Sequence, residues 1–181
     1  MNGVYSSLKD RNPSPSTARL LADLVPPREF ERASFENYIP HSEFPSQAEA
    51  SKAAQSFALG KTAKRGLFSR GPVETDSLGI YLDGGFGVGK THLLAATYHQ
   101  FRGKKAFGSF IAFTSLIGAL GFAAAKEALA RYALICIDEF ELDDPGDTMI
   151  MSRLLNELGA RGVKFAATSN TPPSPLGEGR F

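Results

Sequence analysis

Eight residues constrain this chain more than any other stretch: Gly84-Gly85-Phe86-Gly87-Val88-Gly89-Lys90-Thr91. They fit the phosphate-loop spacing G-x-x-x-x-G-K-[ST]. Glycines at Gly84, Gly87 and Gly89 let the backbone turn tightly and aim N–H groups at phosphate oxygens. Gly85, Phe86 and Val88 complete the loop. Lys90 has the reach for β- and γ-phosphates, and the Thr91 hydroxyl suits Mg²⁺. Such a loop needs a strand before it and a helix after it, whose positive end adds to the anion site. Leu78–Leu82 is apolar and strand-like, and Lys90–Phe101 has a helical pattern. An ordinary glycine-rich turn requires neither neighbour.

A second signal lies at Leu134-Ile135-Cys136-Ile137-Asp138-Glu139. An apolar strand ends in two carboxylates, where parallel sheets place their ligands. Asp138 is expected to hold Mg²⁺, directly or through water, and Glu139 to orient and polarise the water that attacks a γ-phosphate. Alone, an acidic pair after a strand is commonly a solvated loop start or a helix cap. The phosphate loop upstream favours the site reading, and the second carboxylate matters because a metal ligand alone would suit a kinase or a GTPase equally well. Cys136 reads as a buried strand residue rather than a nucleophile. A third strand, Val163–Thr168, ends in Ser169-Asn170. Asn170 is either a contact to the γ-phosphate or attacking water, or part of a turn before Pro172-Pro173.

These motifs sit in a regular alternation. Strand-like runs at Leu78–Leu82, Ala106–Phe113, Ala133–Ile137 and Val163–Thr168 alternate with helical segments. One helix is expected from Lys90 to Phe101. Another starts near Thr114-Ser115 and continues towards Ala130. A third spans Asp147–Leu158, with Ile150, Leu154 and Leu158 on one stripe. Strands alternating with helices predict crossover units and a parallel sheet buried on both faces. Upstream, residues 1–27 read as a flexible leader that contains Asn12-Pro13-Ser14-Pro15 and ends at Pro26-Pro27. Residues 28–77 form a segment leading into the core, with a helix over Ala48–Leu59 and a basic loop, Lys61 to Pro72. Residues 78–181 form the nucleotide-binding core.

Composition removes other classes. Lys+Arg is 20 against Asp+Glu 19 in 181 residues, so no overall charge draws the chain to nucleic acid. A single cysteine excludes an intramolecular disulfide, and His41, His92 and His99 are too scattered for a metal centre. No secretory pattern follows Met1, so a cytoplasmic setting is expected. The twenty residues Ala106–Ala125 lack a charge, and their length alone permits a membrane span. Thr114-Ser115 in the middle, and the nucleotide motifs on either side, favour strand plus helix.

Taken in this order, the phosphate loop, the Asp-Glu strand and the Thr168-Ser169-Asn170 strand resemble those of AAA+ ATPases. Ile137–Asp144, Asp147–Ile150, Arg153-Leu154-Leu155, Ala160–Val163 and Ala167–Pro173 resemble the ZapE family of cell-division ATPases, whose mitochondrial relatives are the AFG-like ATPases. Phe35-Glu36-Asn37-Tyr38, then Pro45-Ser46-Gln47, is similar to the segment that leads into such domains. The resemblance implies an α/β three-layer sandwich with a parallel sheet, a P-loop NTPase of the AAA+ core type. It implies an ATP hydrolase acting with Mg²⁺ as a homo-oligomer. The implied partner is a protein of the division machinery at the FtsZ ring, with peripheral membrane association and no nucleic acid. Lys90, Thr91, Asp138, Glu139 and Asn170 take the family's roles, and Arg180 falls at an Arg-Phe pair near its intersubunit arginine. The chain stops at Phe181, before the helical lid that the family carries.

Two other readings compete. A helicase-loader or initiator-like AAA+ ATPase shares the loop and the Asp-Glu strand, and Lys61, Lys64, Arg65 and Arg70 would be its contact to DNA. A nucleotide-gated interaction module would hydrolyse little, but it has no need of Glu139. A GTPase is disfavoured, because no Asn-Lys-x-Asp stretch is present to read guanine.

Overall fold

The computed structural model describes residues 16–60, 78–141 and 144–171. Four strands form one sheet: β1 (Gly79–Asp83), β2 (Lys105–Ser109), β3 (Leu134–Asp138) and β4 (Lys164–Ser169). Their order is β1-β4-β3-β2 and every pairing is parallel. Among the described residues six helices surround it: α1 (Thr17–Ala22), α2 (Pro45–Ala58), α3 (Lys90–Gln100), α4 (Phe110–Leu120), α5 (Phe122–Leu129) and α6 (Pro145–Gly159). Arg28–Phe30 adds one 3-10 turn.

Side-chain alternation makes this a three-layer sandwich. Successive strand residues point to opposite faces. Ile135 and Ile137 of β3 pack with α4, α5 and α6, whereas Leu134 and Cys136 pack with Leu94 and Ala95 of α3. Both faces of β3 are therefore buried, which explains its unbroken apolar run. On the α3 side, Ala54 and Ala58 of α2 close over Leu82, Leu93 and Ala96. Small residues on α2 let it lie near α3 and the end of β1, beside the glycine loop.

The second expected strand is shorter than its apolar run. Phe110–Phe113 are the first turn of α4, not strand. Ser109 pairs with Asp138 at the last rung of the ladder, and its side chain accepts a hydrogen bond from the Ala112 N–H at 3.2 Å. That N-cap starts the helix five residues before Thr114. Phe110, Phe113, Leu116 and Ile117 then recur at helical spacing and are all buried. The single helix expected through Ala130 is two, divided at Gly121 with φ 77°.

Two further expectations change. Residues 16–27 are not a loose leader: α1 is capped by Ser16, Leu24 is buried, and the Leu24 carbonyl accepts the Phe107 N–H at 3.0 Å. The stripe on α6 is rotated. Thr148, Met151, Leu154 and Leu158 are buried, while Ile150 is 40% exposed. Burying Met151, Leu154 and Leu158 stabilises the fold by about 1.5–3 kcal/mol each. Lys126 of α5 and Glu157 of α6 meet at 2.8 Å, and Arg161 makes a two-point contact with Glu127 at 3.0 and 2.8 Å. No helix among the described residues is long and apolar enough to cross a membrane. Residues 1–15, the basic residues Lys61, Lys64, Arg65 and Arg70, and Arg180 lie outside the described residues.

Candidate nucleotide-binding site

The three sequence signals converge because all strands run the same way. β1, β3 and β4 end on one edge of the sheet, so Asp83, Asp138 and Ser169 reach it together. Gly84–Gly89 joins β1 to α3 there, and Lys90 is the first residue of α3. A cleft of about 280 Å³ on this edge has Gly87, Gly89, Lys90, Thr91, Asp138, Glu139 and Asn170 in its wall. Phe30 borders it from the N-terminal segment, and Phe86 stands at the loop tip, 87% exposed.

The loop's shape depends on glycine most visibly at Gly89. Its φ is +86°, and a Cβ there would lie 2.7 Å from Cε2 of Tyr38. The Tyr38 hydroxyl donates to the Val88 carbonyl at 2.9 Å. His92, one turn into α3, contacts the Ser34 carbonyl through Nε2 at 3.0 Å. The segment Ser34–Tyr38 is thus bonded to the loop and to the start of α3.

Lys90 Nζ donates to the carbonyls of Gly84 and Gly85, both at 2.7 Å, and to Asn170 Oδ1 at 3.0 Å. Burial pulls its pKa below that of a free lysine, an effect that Asp138, Asp83 and Glu141 oppose. Asn170 also donates from Nδ2 to Glu141 Oε1 at 2.9 Å. Thr91 Oγ1 donates to Asp138 Oδ1 at 3.2 Å. The same oxygen accepts from Thr168 Oγ1 at 2.5 Å. Glu139 follows with φ 52°, the only positive φ outside glycine among the described residues. Cys136 is fully buried and burial pushes its thiol pKa up, as fits a core residue.

Lys90, Thr91, Asp138, Glu139 and Asn170 therefore share one cleft, with the glycines around Lys90. Arg180 and the basic residues Lys61, Lys64, Arg65 and Arg70 are outside the described residues. Thr168 and Glu141 join the cluster from stretches the sequence had singled out, the Thr168-Ser169-Asn170 triplet and Ile137–Asp144, in which neither had been given a role. For Thr168 the signal was its place in the polar triplet that ends this strand, and the residue proves fully buried. For Glu141 it was membership of an acidic run.

A parallel sheet flanked by helices on both faces, with a glycine loop between β1 and α3 and carboxylates ending β3, defines a P-loop NTPase of the AAA+ class. Solved structures bear out the fold. The DnaC helicase loader superposes with a TM-score of 0.60 at 18% identity over 81% of each chain. AMPPCP-bound DnaA from Aquifex aeolicus gives 0.60 at 15% identity, over 81% of this chain and 44% of that one. At such identities the likeness concerns the fold alone. The sequence model of the AFG1-like ATPase family matches residues 14–181, so the chain belongs to that family. The cell division protein ZapE of Escherichia coli strain K12 is 34% identical over an alignment of 109 residues that covers 54% of this chain and 29% of ZapE. Lactation elevated protein 1 homolog B of Danio rerio is 44% identical over 55 residues, 30% of this chain and 11% of that protein. The matched region is thus under a third of either relative.

Proposed function

We propose that this chain binds Mg-ATP in the cleft and hydrolyses it. One observation carries the reading: residues from the β1–α3 loop, the end of β3 and the end of β4 meet around a single cleft of about 280 Å³. The glycine loop and Lys90 would hold the β- and γ-phosphates. Lys90 is now bonded to three oxygens, two of them loop carbonyls, so phosphate oxygens would take over positions that it already prefers.

Thr91 and Asp138 would hold Mg²⁺. The donor set fits: a hydroxyl and a carboxylate, both hard oxygens, lie 3.2 Å apart. Among the described residues no three His, Cys, Asp or Glu side chains cluster as a metal cage. A cation here would complete its shell from phosphate and water, as Mg²⁺ commonly does. When bound it neutralises charge that builds on the phosphates. Glu139 would orient and polarise the attacking water, and Asn170 would bind that water or the γ-phosphate. Arg180 would act on the nucleotide of a neighbouring copy in a homo-oligomer.

The relationship to ZapE supports a further step. Hydrolysis would be coupled to remodelling a protein of the cell-division machinery, with FtsZ as the candidate, in the cytoplasm and at the membrane periphery. Residues 78–181 would be the core that performs the chemistry, with 28–77 leading into it.

The test combines nucleotide binding with steady-state hydrolysis. Lys90→Ala should lose ATP binding, while Glu139→Gln should keep binding and lose hydrolysis. A Glu139→Gln chain that hydrolyses ATP at the wild-type rate would remove Glu139 from its role. Addition of FtsZ polymers should raise the wild-type rate, and an unchanged rate would argue against that partner.

A further inference from the structure

We propose that Thr168 is the positioning residue for both carboxylates at the end of β3, through one hydroxyl that fixes Asp138 and Glu139 together. This rests on the ATPase reading of the cleft. The β3–β4 ladder continues only to Ile137↔Ala167. Beyond it Thr168 takes over. Its Oγ1 donates to Asp138 Oδ1 at 2.5 Å and accepts the Glu139 N–H at 3.1 Å, and its carbonyl accepts the Phe140 N–H at 2.6 Å. Three consecutive residues are thus bonded to one.

The chemistry of a hydroxyl suits this task. It has one proton to give and lone pairs to accept. Here the proton goes to the carboxylate proposed to face the metal, and a lone pair takes the N–H of the residue proposed to polarise water. Thr168 is 1% exposed, so bulk water does not compete for either bond. Its contact with Asp138 is shorter than that of Thr91, 2.5 against 3.2 Å. Asp138 Oδ1 is therefore held from both sides, by the hydroxyls of Thr91 on α3 and Thr168 on β4.

Glu139 shows why its N–H needs a partner. Its φ of 52° lies in the left-handed region, uncommon outside glycine. The turn is fixed on one side by the Thr168 hydroxyl. On the other side is Phe140, whose ring meets Phe110 edge-on at 5.4 Å and Tyr81 at 6.5 Å. With Thr168 removed, the Asp138 carboxylate could rotate and the Glu139 backbone could relax towards ordinary φ. Both would move the carboxylates while leaving the glycine loop and Lys90 in place.

Thr168→Val keeps the volume and deletes the hydroxyl, whereas Thr168→Ser keeps the hydroxyl and deletes the methyl. Three quantities are read: kcat and KM for ATP hydrolysis, affinity for a fluorescent ATP analogue with and without Mg²⁺, and melting temperature. In Thr168→Val, kcat should fall about tenfold or more. The strengthening of nucleotide binding by Mg²⁺ should also shrink about tenfold. Affinity without Mg²⁺, which depends on Lys90 and the loop, should stay within about threefold. Thr168→Ser should recover kcat and the Mg²⁺ effect. If Thr168→Val does not fold, Thr168→Cys, a weaker donor of similar size, must show the same losses. A foldable Val or Cys chain with wild-type kcat and Mg²⁺ effect overturns the proposal, and so does a Ser chain that fails as Val does, since that assigns Thr168 to packing. Lys90→Ala is run in parallel. If it still binds the analogue, the ATPase reading itself fails. If it does not bind, a wild-type result at Thr168 counts against Thr168 alone.

Discussion

Lys90 Nζ, at the start of α3, and Asn170 Oδ1, just past the end of β4, lie 3.0 Å apart although eighty residues separate them in the chain. That contact ties the phosphate loop to β4 directly. It also orients the Asn170 amide, because Nδ2 is left to donate to Glu141. Asn170→Ala should therefore lower kcat by about a hundredfold, the scale on which one transition-state hydrogen-bond donor is lost, with a smaller change in KM. Steady-state kinetics over ATP concentration checks this, and an effect confined to KM would make Asn170 a ground-state binding residue.

Gly89→Ala tests the loop against its lead-in segment. The new methyl would meet the Tyr38 ring at 2.7 Å and would impose a side chain at φ +86°. ATP affinity should fall at least about tenfold while the far-UV spectrum stays native. Adding Tyr38→Ala removes the ring but not the backbone conflict, so it should restore binding only in part.

Leu158→Ala asks how much the α6 face contributes. Leu158 is fully buried among Leu154, Met151 and Val163. The variant should be destabilised by about 2–5 kcal/mol, read as a lower midpoint in urea. An unchanged midpoint would mean that α6 does not pack as described.

Ser109→Ala removes the cap that starts α4. The loss should be about 1 kcal/mol, since one partly buried N–H of the first turn loses its partner. Thr114→Ala, the position expected from sequence to start this helix, should cost less than Ser109→Ala in the same denaturation experiment.

Acid should loosen the α5–α6 side. Hydrogen bonds and ion pairs hold Glu127, by Arg161, and Glu157, by Lys126 and Arg153, below the ordinary glutamate pKa of 4.5. A carboxylate with a lowered folded-state pKa contributes stability above its unfolded value and loses it as pH falls through the folded one. Stability should therefore drop below about pH 4.5, and the Glu127→Gln/Glu157→Gln chain should show a flatter dependence there. Equal slopes for the two chains would show that these pairs are not formed in solution.

Much of this architecture was legible in the sequence because parallel sheets leave strong traces. β3 is buried on both faces, so Leu134–Ile137 had to be continuously apolar. The glycine loop had to carry glycines where φ is positive, at Gly87 and Gly89. Apolar character alone could not separate the end of β2 from the start of α4, since Phe110 and Phe113 suit either. A single hydrogen bond from Ala112 to Ser109 decided it. Ile150 likewise looked like a core residue, but the face of α6 that turns inward is set by packing on α5 and the sheet.

Sequence by itself determined the type of loop, the alternation of strands and helices, and which strand would end in carboxylates. These follow from local chemistry: backbone freedom, periodicity and residue type. The tertiary structure decided which strands are neighbours, and hence which side chains share a cleft. Lys90 meets Asn170, and Thr168 meets Asp138, because β4 lies between β1 and β3 in the sheet order. No local property of the chain encodes that adjacency, and it is what turns three separate motifs into one site.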